Sequence, residues 1–66
     1  MTAAIAATVQ STAEKIAAYR GRVSADQIDA LVLGATLAIW SEHSADGTGT
    51  QPFDVEDALR SALKEI

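Results

Sequence analysis

Catalysis in this chain would have to begin at His43, the sole imidazole, or at the acidic and hydroxyl-rich stretch Asp46-Gly-Thr-Gly-Thr that follows it. Imidazole is the usual general base and a frequent metal ligand, but both roles need a second group to orient the ring. Glu42 is adjacent in sequence, and adjacent residues on a helix do not share a face. His43 therefore reads as a surface histidine near a helix C-terminus, where a positive charge suits the helix dipole. The serines at 11, 24, 41, 44 and 61 have no imidazole placed to activate them, and no glycine-rich loop runs into Lys-Ser or Lys-Thr to cradle a phosphate. Asp26 with Asp29 and Asp54 with Asp57 are paired carboxylates, yet each pair falls where a helix should begin, and capping and the dipole account for them.

Asp46 to Asp57 has the length of a calcium loop between two helices, with Asp46, Thr48 and Thr50 at alternating ligand positions. The pattern then fails, because Gln51 stands where the sharp bend needs glycine, Pro52 follows, and Asp57 replaces the closing bidentate glutamate. Asp46-Gly-Thr-Gly-Thr also resembles the phosphorylated-aspartate motif of ion-pumping ATPases. That motif belongs to a large α/β domain, for which there is no room here. The reading is a chain with no catalytic, cofactor or metal residues, and not an enzyme.

Sixty-six residues make a single small domain, residues 1–66, of a size whose core usually leaves only about 3–5 kcal/mol of net stability. There is no cysteine to supply a disulfide or a thiolate metal site, so oligomerisation is the remaining common remedy. A net charge of -4 and a pI near 4.6 disfavour non-specific nucleic-acid binding, for which only Lys15, Arg20, Arg22, Arg60 and Lys64 are available. Acidity suits solubility or a basic partner protein. The opening Met1-Thr-Ala-Ala lacks the positive region of a signal peptide, and the apolar run from Ala30 to Trp40, between Asp29 and Glu42, falls short of the roughly 20 apolar residues of a membrane span. A cytoplasmic location is expected. Alanine richness with scarce lysine is the composition of a GC-rich genome such as that of an actinobacterium or its phage.

Periodicity predicts an all-α three-helix bundle with helices at approximately 2–20, 24–43 and 54–66. In the first, Ile5, Val9, Thr12, Ile16, Tyr19 and Val23 recur at steps of four and three, the seam of a helix packed lengthwise on another. Gly21 offers the stop. Ser24 and Gln27 form a capping box opening the second helix, with Val23 before it as a staple to Ile28. After the Gly- and Thr-rich loop ending at Pro52, Asp54 is expected to cap the third helix with Phe53 as its hydrophobic anchor. Val55, Leu59, Ala62, Leu63 and Ile66 form its stripe, and Glu56 and Arg60 stand at pairing distance.

The second helix has more apolar surface than one face holds. Turning each residue by about 100° puts Ile28, Leu31, Val32, Ala35, Ala38 and Ile39 on one side and Leu33, Leu37 and Trp40, with Ala30, nearly opposite. Asp29 and Thr36 divide them along one edge; Gln27, Gly34 and Ser41 along the other. Either the first helix covers the Trp40 side and the third the opposite side, or Leu33, Leu37 and Trp40 meet another chain, with an aromatic beside leucines as a usual anchor. The second option implies a helical homodimer, or an unidentified protein partner, and a non-enzymatic adaptor, inhibitor or small regulator. The alternative is a small DNA-binding regulator: Ala17, Gly21, Val23 and Ile28 loosely follow a helix-turn-helix, with Arg20 and Arg22 in the turn. Against it, the recognition helix would open with Ser24, Asp26, Gln27 and Asp29, and the two aspartates there would repel phosphates.

Overall fold

Thr2 opens the first helix in the computed structural model, which describes residues 2–43 and 49–66. Its hydroxyl accepts the Ile5 N–H at 3.2 Å, satisfying one of the donors a helix start leaves free. Helix α1 spans Ala3–Ala17, α2 Ala25–His43 and α3 Pro52–Glu65. No residue among those described is in a strand, and the three helices pack against one another as the apolar periodicity predicts.

Two helix ends differ from expectation, each for a local reason. α1 ends at Ala17 because the main chain tightens there: the Tyr19 N–H bonds to the Ile16 carbonyl at 2.9 Å and Arg20 to Ala17 at 3.1 Å, both three residues back instead of four. Gly21, with φ of 82°, supplies the left-handed residue of the turn that follows. α3 begins two residues earlier than expected. Pro52 is its first residue, a place where the missing N–H and fixed φ of proline cost nothing, and Gln51 is the cap. Asp54 is therefore not the cap; its carboxylate reaches back to accept the Gln51 N–H at 2.9 Å. The predicted box at α2 is present, with Ser24 N–H donating to the Gln27 amide oxygen at 2.9 Å and Gln27 N–H to the Ser24 hydroxyl at 3.2 Å.

The core is Ile5, Val9, Ala13 and Ile16 of α1, Val32 and Ile39 of α2, and Val55, Leu59 and Leu63 of α3. Thr36 is buried with them, its hydroxyl donating to the Val32 carbonyl at 2.7 Å. A threonine that bonds its own helix needs no partner across the core, so its polarity did not keep it at the edge where the wheel placed it. Alternating direction follows from the turn: Arg20 donates to the carbonyls of Leu63 and of Ile66, the latter at 3.0 Å, so the end of α1 lies beside the end of α3. No helix among the described residues is long and apolar enough to cross a membrane.

Candidate functional site

α1 and α3 both pack on the side of α2 that carries Val32, Thr36 and Ile39, so neither takes the opposite side. Leu33 stays 45% exposed and Leu37 58%. Trp40 behaves differently from these two: it is half-buried, packs on the edge of the core, and donates its indole N–H to the Thr50 carbonyl at 3.0 Å. A tryptophan held by its polar tip while part of its ring stays wet is a rigid platform at the margin of a surface. Leu31 and Ala38, placed by the pattern on the same side as Val32 and Ile39, are also exposed, because the buried arc of α2 is centred nearer Thr36 than that pattern implied.

Two contacts fix how α3 runs along α2. Asp29 accepts from Arg60 at 2.7 Å near one end, and Trp40 meets Thr50 near the other. At about 1.5 Å of rise per residue on both helices, these two contacts put Leu37 level with Phe53 and Leu33 level with Glu56 and Asp57. Phe53 is not a core anchor; it is 73% exposed. The early start of α3 explains this, since a helical Phe53 is rotated about 160° from the buried Val55 and lies within about 20° of Arg60, on the edge of α3 that faces α2. Leu33, Leu37 and Phe53 thus line one seam of the bundle, with Trp40 at its end. Sequence reasoning identified the first two and Trp40; Phe53 was missed, and Pro52 at a helix start was the signal that would have rotated it outward.

The polar groups of the seam are asymmetric. Arg60 is held by Asp29 and by Glu56 at 3.0 Å, and these hydrogen bonds, Asp29 first, push its pKa further above the usual arginine value. Asp57, one turn after Phe53, has no ion-pair partner among the described residues. On the other flank of α2, Tyr19, Val23, Gln27, Ala30 and Leu31 line a shallow groove of about 390 Å³.

The other candidates divide differently. His43 is half-buried at the last residue of α2. No group of three His, Asp or Glu among the described residues is placed to hold a metal ion. Asp46 and Thr48 of the calcium-like loop lie outside the described residues; at its far end Gln51, Pro52 and Asp54 build the start of α3. Of the two arginines of the helix-turn-helix reading, Arg20 is committed to the carbonyl end of α3 and Arg22 is exposed. Comparison with protein-family models, with curated proteins and with solved structures finds no match to this chain.

Proposed function

We propose that this chain is a non-enzymatic helical protein that acts by binding another protein chain through the outward side of α2. The observation that carries the reading is the exposure of Leu33 and Leu37 beside Phe53, three large apolar side chains on one seam with a tryptophan fixed at its end. Scattered exposed leucines need no explanation, but a contiguous apolar patch on a small soluble domain marks an interaction surface. Helix α2 also presents Gly34, at which an added Cβ would meet nothing within 4 Å, so a partner's backbone has room to approach. A second copy of this chain, giving a homodimer, is one occupant this reading allows, and an unrelated protein chain is the other. The DNA-binding alternative has less support, since Arg20 is tied to α3 and α2 begins with acidic residues.

Light scattering over a range of concentrations, on the wild type and on Leu37→Glu, tests it. Self-association that Leu37→Glu abolishes, with helical content retained, supports the reading with a second copy as occupant. Association that Leu37→Glu leaves intact contradicts it, because the contact then lies elsewhere.

A further inference from the structure

We infer that the occupant of the Leu33, Leu37 and Phe53 seam is a basic amphipathic helix of another protein rather than a second copy of this chain. The inference rests on the interaction reading above and is carried by the distribution of charge. The bundle has two unlike ends. Lys15 in the last turn of α1, Arg20 and Arg22 in the turn, and Lys64 in the last turn of α3 all lie at the end where α1 and α3 finish. The opposite end, where α2 finishes and α3 starts, carries Glu42, Asp54, Glu56 and Asp57 and, besides His43 in the last turn of α2, no basic residue before Arg60. Arg60, on the edge of α3 that carries Phe53, is already shared between Asp29 and Glu56.

A homodimer with two-fold symmetry sets the same patch against itself. Pairing this seam across a two-fold axis would bring two copies of Asp57, with Asp54 nearby, together while Arg60 is already engaged by Asp29 and Glu56, and like charges facing each other are costly at an interface. A helix with leucine-type residues at i, i+3, i+4 and i+7 and lysine or arginine on its flanks meets both needs: its apolar stripe covers Leu33, Leu37 and Phe53, and its cations face Asp57 and its neighbours.

The test uses three tryptophan-free synthetic peptides of equal length: a Leu/Lys amphipathic helix, its Leu/Glu counterpart, and a scrambled Leu/Lys sequence. Binding to the full chain is read by Trp40 fluorescence and by calorimetry. The expected result is saturable binding of the Leu/Lys helix alone, weakened about tenfold by Phe53→Ala and by Leu37→Ser, weakened also by Asp57→Lys and by added salt. Both apolar positions are exposed, so circular dichroism of these variants should match the wild type. The inference is overturned if the Leu/Glu helix binds as well, if the scrambled peptide binds as well, or if Phe53→Ala and Leu37→Ser change nothing. If no peptide binds but the wild type self-associates through Leu37, the occupant is a second copy: this inference falls and the interaction reading stands. If neither occurs, both fall.

Discussion

Helices α1 and α2 are both rich in apolar residues, yet only α1 hides its large ones. Ile5, Val9 and Ile16 of α1 are all buried, and its outward side is alanine, glutamine, serine and charge. Helix α2 buries Val32 and Ile39 and leaves Leu31, Leu33 and Leu37 in contact with water. An exposed alanine adds little apolar area, whereas fully burying a leucine is worth about 1.5–3 kcal/mol relative to leaving it exposed. The composition of α1 is that of a helix completed within its own bundle. That of α2 holds apolar surface in reserve, which contributes little to the lone chain and becomes favourable when something covers it.

The largest effect that separates the two kinds of position is expected at α3, whose leucine at 59 is fully buried in the core. Leu59→Ala should lose about 2–5 kcal/mol, comparable to the whole net stability of a domain this small, and urea denaturation should find it largely unfolded. Leu37→Ala should change stability by no more than about 0.5 kcal/mol; a loss as large as that at Leu59 would erase the distinction. Trp40 stands between these classes. Trp40→Phe keeps much of the ring and removes the indole donor to the Thr50 carbonyl, so a loss of about 1 kcal/mol is expected by the same denaturation.

Smaller effects sharpen the contrast. Gly34→Ala should raise the stability by about 0.5–1 kcal/mol, because glycine is unfavourable inside a helix and the added Cβ would meet open space. If a partner's backbone docks there, the same change should weaken association while strengthening the fold. Thr36→Val should be nearly neutral, within about 0.5 kcal/mol, since it removes a hydroxyl whose only use is the Val32 carbonyl of its own helix. A large loss would mean that the hydroxyl has a role across the core.

The three helices were legible because their signals are local. Ser24 and Gln27 announced a helix start, Gly21 a turn, and Val55, Leu59 and Leu63 a stripe, and each acts within a few residues of itself. The facing of α2 was less legible. Its two apolar sides are similar in strength, and which one is buried depends on where α3 lies, a long-range matter that a wheel of one helix does not contain. Thr36 and Leu31 changed places with expectation for that reason. Phe53 was misread through a capping error: taking Asp54 as the cap left Phe53 outside the helix and free to turn inward, whereas Pro52 as first residue fixes it on the outer edge. The seam itself arises from pairing α2 with α3, so half of it was readable from α2 and the aromatic half was not.

The most direct test of the account is urea denaturation of Leu33→Glu/Leu37→Glu beside the wild type, at a concentration low enough for both to be monomeric. The account predicts an unchanged helical spectrum and a stability within about 0.5 kcal/mol for each site, because both leucines are exposed on the bundle and neither belongs to its core. Loss of helix, or a fall as steep as that of Leu59→Ala, would show that they are interior to the folded chain and would remove the surface on which the proposed function rests.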